Sequence, residues 1–520
     1  MANDLVREKI SLDQSIGKES TQILLEGDII VPDVKPDMAL LLQTESKVII
    51  ERVEASADRA NFIGQLNISV LYIAKTAEKP VHTITLSAPV DDFINMDGVC
   101  KDHWVTAKAD LVNVDYKMLN DRKLSYRAIV NVTLTAEQSD VHEIVVHIHD
   151  VSENQLLKTQ INVNRTIENK FDRFTVKDQI SIPSNKPNIR EVLVCSSTIA
   201  NKDVRLSAGR VSITGDLMLT TLYRGDDGDR LIEFVENEIP FSNHIDVSGA
   251  LEDMFADADL QVIDEYVQVR SDSDGEDRQM EIDITIGIIL KVYSSESMQI
   301  LEDAYLINQN LNFTKVKLNY PQLVCRNRNQ ATIKEVVQLA AGSPDMLQIF
   351  RIKGTPHLDE VKIVDDKAIV EGVINTDILY VAESDETPLF SFKTIIPYRQ
   401  VIEMKGASPD MQVNVDIAVD HASFSMLSGW ETEVRFQLSF NAQVIEEQEV
   451  HVINHVAFED MDMAELDKMA SMTVYIVQKD DTLWTIAKRY NTAIDELMAV
   501  NDLEGHKIVQ GQKLLILKKV

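Results

Sequence analysis

A chain of 520 residues with 44% apolar side chains is long enough for three or four domains, each burying its own core. A formal charge of −33 argues against a nucleic-acid partner, whose phosphates require clustered Lys and Arg, and it would repel an anionic bilayer. Cys100, Cys195 and Cys325 are widely spaced and odd in number, which excludes a disulfide framework and a Cys-based metal site. No apolar run forms a signal peptide or reaches the ~20 residues of a membrane span, so a cytoplasmic protein without membrane insertion is expected.

Residues 1–20 read as a charged lead-in, followed by an extended apolar run over 22–31. Pro36 fits the first position of a short helix over 37–43. Strands are expected at 47–53 and 62–74, with a turn over 55–60. In the second of these, Leu66, Ile68, Val70 and Tyr72 alternate with their neighbours at the period of a half-buried strand. Further strands are expected at 82–88, 104–116 and 124–136, with 141–149 closing the unit or leading out of it.

The unit then recurs. Pro36, Gly64, Tyr72 and Pro89 reappear as Pro187, Gly215, Tyr223 and Pro240, and again as Pro344, Gly372, Tyr380 and Pro397, each time at spacings of 28, 8 and 17 residues. Four anchors at fixed offsets in three copies mark a tandem triplication. Repeats are expected over 1–150, 160–298 and 308–450, with a second short helix over 189–195. Acidic, Gly-containing turns separate alternating strands, and the expected fold is mainly β: three tandem β-sandwich-like repeats. The repeated Gly residues would admit a bulge or a close backbone approach, and the repeated Tyr residues would belong to the core.

Residues 451–472 are rich in Glu, Asp and Met and read as an acidic linker. The last stretch, 473–520, changes character: Ser471–Val520 holds seven Lys/Arg against six Asp/Glu, leaving about −34 on the preceding chain. A strand over 474–477 precedes a helix that begins at 480–482 and puts Leu483, Ile486, Ala487 and Tyr490 on one face. Thr492 with Asp495 reads as a capping box opening a second helix, and 513–517 is a closing strand after the Gly511 turn. The result is a compact α/β module of βααβ order.

That module resembles a LysM domain, through Tyr475, Val477, Asp481, Thr482, Leu483, Trp484, Ile486, Ala487, Leu497, Asn501, Gly511, Gln512 and Leu514. It departs at Asp480, where the family usually has Gly, and at Gln510, where it often has Pro. The three repeats resemble the SPOCS domain (DUF3794), through Pro187–Val192, Gly215–Tyr223 and Ile239-Pro240-Phe241 with their counterparts; the first copy departs at Ala88-Pro89-Val90. Tandem SPOCS repeats with one terminal LysM resemble the SipL-type family of spore-coat morphogenetic proteins. The resemblance implies a mother-cell scaffold recruited to the forespore surface. Its LysM domain would bind the coat-basement ATPase (stage IV sporulation protein A), and its repeats other spore-coat proteins. The other reading is a LysM that binds peptidoglycan through N-acetylglucosamine; the carboxylate at Asp480 and the missing signal peptide count against it.

Candidate partner-binding residues follow from the LysM loops. Trp484 lies beside the helix's core face, where an indole can anchor a partner or simply pack. Asp481, Thr482 and Leu483 from one loop, with Leu503, Ile508 and Val509 from the other, would line the groove. Lys488 and Arg489 would face an acidic partner or only water. His147 and His149 share a strand face, but no third ligand accompanies them, and Asp272-Ser-Asp-Gly lacks the frame of a calcium loop and reads as an acidic turn. No nucleophile motif or phosphate loop is visible, so neither enzyme activity, metal nor cofactor is expected.

Overall fold

The computed structural model describes residues 5–76, 81–148, 154–226, 232–307, 309–383, 389–459 and 471–517. Sustained period-2 alternation turns nearly all of the repeats into strands. Repeat one holds β1 (Leu5–Ile30), β2 (Met38–Ser56), β3 (Arg59–Ala74), β4 (Val81–Asn95), β5 (Trp104–Asn120) and β6 (Lys123–Ile148). Repeat two holds β7 (Asn154–Ser181), β8 (Ile189–Ser207), β9 (Arg210–Gly225), β10 (Glu233–Asp246), β11 (Phe255–Ser271) and β12 (Asp277–Leu306). Repeat three holds β13 (Asn310–Gln338), β14 (Met346–Val364), β15 (Lys367–Ala382), β16 (Leu389–Glu403), β17 (Gln412–Met426) and β18 (Glu431–Glu459).

Every repeat pairs its strands alike. The second, third and fourth form one antiparallel sheet, and the first, sixth and fifth form another with the sixth in the centre. The two sheets close on one apolar core per repeat, as the expected sandwich requires.

The four sequence anchors acquire physical roles in this frame. Tyr72, Tyr223 and Tyr380 are fully buried, and each hydroxyl donates to the carbonyl of its own anchor proline, Pro36, Pro187 or Pro344, at 3.0, 3.2 and 3.0 Å. Gly64 and Gly372 sit opposite bulges in the neighbouring strand, where a Cβ would lie 2.3 Å from the Ile49 carbonyl or 2.1 Å from that of His357. Pro89, Pro240 and Pro397 occupy edge strands, where a missing N–H breaks no ladder.

The helices expected at 37–43 and 189–195 are absent; both segments open strands β2 and β8. Two bulges cause the misreading. In β2 they fall between Met38 and Leu40 and between Leu41 and Gln43, and β8 and β14 repeat them. Each extra residue breaks the two-residue alternation and mimics helical spacing. The bulges also re-aim side chains: Leu42, Leu193 and Phe350 leave their own sandwiches and meet in a cluster shared by all three repeats. Leu71, Leu222 and Leu379, each preceding an anchor Tyr, point into the same cluster from the opposite sheet face to the tyrosine.

A second shared core forms beyond the sandwiches. Past bulges at Ile16, Ile167 and Val324, the first and sixth strands of each repeat continue as a two-stranded ribbon. The ribbons pack together through Ile10, Ile161 and Leu318, then Leu12, Val163 and Tyr320, which are equivalent residues of the three copies. The repeats thus surround a pseudo-threefold axis rather than forming beads on a string. Ion pairs across the seams single out particular neighbours. Glu45 of repeat one meets Arg351 (2.8 Å) and Lys353 (3.2 Å) of repeat three. Glu191 of repeat two takes Lys35 of repeat one together with its own Arg224, and the His82 ring of repeat one lies 3.2 Å away. Burial alone would raise the Glu191 pKa, but the neighbouring His82 and Lys35 outweigh it and hold the carboxyl at about 2.

Ribbon pairing extends the repeats past the boundaries expected from the sequence. In repeat two it runs from Asn154↔Leu306, and β18 reaches Glu459, so 451–459 is paired strand and not linker. The remainder of the expected linker, 460–470, lies outside the described residues. The terminal module is β19 (Met472–Ile476), α1 (Leu483–Arg489), α2 (Ile494–Val500) and β20 (Lys513–Leu517), the expected βααβ order. Among the described residues no helix is long and apolar enough to cross a membrane.

Candidate partner-binding site

Helix α1 starts at Thr482, whose hydroxyl accepts from the Thr485 amide while the Thr485 hydroxyl accepts from the Thr482 amide. Leu483, Ile486 and Ala487 then enter the module's core. Ahead of the cap, Asp481 accepts from the Gln478 amide and the Tyr475 hydroxyl, each at 2.7 Å. These bonds hold its carboxyl below the usual carboxylate range, the backbone amide contributing most. Asp480 adopts φ 68°, the left-handed conformation that glycine takes without strain. The two loops are stitched together by Val477 and Gly511 with Gln512: Val477 N–H donates to the Gln512 carbonyl at 2.9 Å, and Gly511 N–H to that of Val477 at 2.8 Å. The capping box expected at Thr492 and Asp495 does not form. The N-cap of α2 is Ala493, one residue after Thr492 and without a side-chain bond; Thr492 itself is buried, and its carbonyl serves another contact.

That contact joins the module to the ribbon of repeat two. Tyr305 donates its hydroxyl to the Thr492 carbonyl at 2.8 Å, and Tyr305 and Ile307 complete the module's apolar core. Asp303 is the polar centre: Trp484 Nε1 donates to one carboxylate oxygen at 2.8 Å and Lys488 Nζ to the other at 2.6 Å. The Trp484 ring stands edge-on to Tyr305, and Lys488 lies over the Phe313 ring. A bulge at Glu302 turns the Asp303 side chain toward the module. The corresponding residues of the other ribbons are His147 and His455, so only repeat two offers Lys488 a carboxylate.

Burial by itself would raise the Asp303 pKa; the Lys488 and Trp484 hydrogen bonds outweigh it and bring the value below the ordinary one. A folded pKa below the unfolded one contributes docking energy that is fully present above about pH 4 and is lost as pH falls through the folded value. Asp303→Asn keeps an acceptor for Trp484 but removes the charge facing Lys488. It is expected to ease opening of this interface by about 1–3 kcal/mol at neutral pH and to remove the acid dependence. Faster amide exchange at Ile494, which donates to Gln155 across the same junction, checks both expectations.

The sequence-selected residues therefore separate into groups. Leu483 is interior, Trp484 and Lys488 face the ribbon, and Leu503 and Ile508 pack partly on the module's core. Asp481 and Thr482 shape the first loop, and Val509 stands out at 68% exposure. Sequence reasoning missed Asp303 and Tyr305, which lie some 180 residues upstream of their partners in no local pattern. The structural role of Asn501 was also missed. Its side chain bonds both the amide and the carbonyl of Leu515 and caps the outer edge of β20 at that residue. No described group of His, Cys, Asp and Glu could hold a metal. His149 lies outside the described residues, and the Asp272 carboxylate caps the amides of Asp274 and Glu276 in a hairpin turn.

Comparison with known families matches this arrangement. A model described as SipL, SPOCS domain matches residues 37–119, 188–270 and 345–427, and the LysM domain model matches 475–517. The chain has the SipL-type architecture. Each SPOCS match runs from just after its anchor proline through the second, third and fourth strands into the fifth, and the LysM match covers the docked module from Tyr475 to Leu517. Both are non-catalytic binding domains, and together they describe a SipL-like sporulation protein with a LysM module. An uncharacterized protein of Bacillus subtilis (strain 168), YkzQ, is 44% identical over 43 residues, which is 8% of this chain and 57% of that protein. No solved structure matches.

Proposed function

We propose that this SipL-type chain is a non-enzymatic spore-coat scaffold that links coat proteins to the forespore surface from the mother-cell cytoplasm. Its LysM domain captures the coat-basement ATPase (stage IV sporulation protein A), and its SPOCS repeats engage other coat proteins. The observation that carries this reading is the union of three SPOCS domains in one body with a LysM domain seated at the end of their ribbons. The seat turns Trp484 and Lys488 inward and leaves the loop side, with Asp481, Thr482 and Val509, toward solvent. The body carries about −34 and the LysM stretch +1, so an anionic partner surface meets least repulsion at the LysM.

A sugar-binding LysM is the competing reading, favoured by the motif itself. Asp480 weighs against it by placing a carboxylate on the loop where glycine is usual. Pull-down of the purified ATPase and of peptidoglycan by the full chain separates the two. Val509→Glu is expected to weaken ATPase capture about tenfold or more while peptidoglycan retention stays at background. Firm retention on peptidoglycan without capture of the ATPase would refute the scaffold reading.

A further inference from the structure

The two-stranded LysM sheet has one edge capped at its centre by Asn501 and one edge whose centre is open. Asn501 bonds the amide and carbonyl of Leu515, so those groups point away from β19. Val474 faces Leu515 in the antiparallel register, and in such a pair both residues direct N–H and C=O outward. The outward groups of β19 therefore belong to Met472, Val474 and Ile476. Gln478 Nε2 already donates to the Ile476 carbonyl at 2.7 Å, as this alternation requires. Among the described residues, the sheet order contains no third strand beyond β19.

The same three residues also carry the exposed side chains. Met472, Val474 and Ile476 are 59%, 61% and 50% exposed, and Leu517 across the sheet is 41% exposed. Thr473 and Tyr475 alternate with them toward the helices. An open edge lined by a continuous apolar face is a template for strand addition.

We infer that this edge pairs with the β19 edge of a second copy of the chain. The strand is self-complementary about Val474: laid antiparallel on itself, Val474 meets Val474 of the second copy, and Met472 meets Ile476. Each outward donor then finds an outward acceptor, with the Gln478 side chain giving way at Ile476. The product is a four-stranded sheet in which the apolar faces of both copies become continuous. Charge selects this place for self-association. The body, at about −34, repels its own kind, whereas the LysM stretch carries +1. The body docks on the helical side through Trp484 and Lys488, which leaves the edge free. This pairing does not rest on any proposed partner of the loops.

Sedimentation of the full chain over a range of concentrations tests it. A monomer–dimer equilibrium is expected, with the dissociation constant raised about tenfold or more by Val474→Pro, which removes the central donor, and by Val474→Lys. Should the proline variant fail to fold, the lysine variant decides, because the Val474 side chain is exposed. A paired Val474 would place the two Cα atoms at about 5.5 Å, within disulfide reach. In a Cys100→Ser background, Val474→Cys is expected to form an oxidised dimer, and Glu504→Cys is not. A chain that stays monomeric at every concentration, or a dimer indifferent to both Val474 variants, overturns the proposal. So does a dimer cross-linked equally well from position 504, and so does β19 protected only by a different protein.

Discussion

Gly372→Ala is expected to destabilise the third repeat by about 3 kcal/mol or more, far beyond the loss from an ordinary glycine substitution. The added methyl would lie 2.1 Å from the His357 carbonyl and 2.5 Å from the Tyr398 hydroxyl. Neither neighbour is free to yield. His357 is backbone at the bulge opposite Gly372, and the Tyr398 hydroxyl already donates to that same carbonyl at 3.0 Å. Gly342→Ala is the matched comparison. Gly342 has φ 92° but open space around it, so its cost is conformational only, on the order of 1 kcal/mol. Denaturant midpoints with hydrogen exchange along β15 measure the difference. Equal losses at the two positions would show that the repeated glycine is kept for backbone freedom and not for close approach.

Gly372 also shows what can be read from one chain. The Pro, Gly and Tyr anchors were legible because the triplication supplies three independent copies, and the roles of the Gly and Tyr followed from residue type, whereas Pro36 opens no helix and instead accepts from Tyr72 through its carbonyl. The start of the second strand was misread as helix in repeats one and two because bulges at Ala39 and Leu42, and at Arg190 and Leu193, break the alternation. The pseudo-threefold packing left little trace. Leu71 and Tyr72 are adjacent and both buried, but on opposite faces of one sheet, one for the common axis and one for its own sandwich. Apolar residues on both faces are the only hint of such double duty. At the LysM the motif located α1 and its loops, since capping and helical spacing are local. What Trp484 touches was not local. It depends on Asp303, whose side chain is aimed by a bulge with no sequence signature.

Leu222→Lys provides the sharper test of the common axis. Leu222 is 4% exposed in the cluster built by all three repeats, and it shares a cavity lining with Arg351 of repeat three. A lysine there would bury a charge beside one of the same sign, since Arg351 already has Glu45 as its partner. The expected loss exceeds about 4 kcal/mol, against less than about 1.5 kcal/mol for the volume-conserving Leu222→Met. Its reach matters more than its size. A beads-on-a-string protein would confine the damage to repeat two, whose sandwich core is separate from the axis. A body closed around an axis loses the contacts of Leu71 and Leu379 as well, so hydrogen exchange should accelerate in β3 and β15. Calorimetry should record the same coupling, as one cooperative transition broadening or splitting in the lysine variant. Unchanged protection of β3 and β15 would mean that the three sandwiches hold together independently of this cluster. The ribbons, through Leu12, Val163 and Tyr320, would then be the contact that orders them.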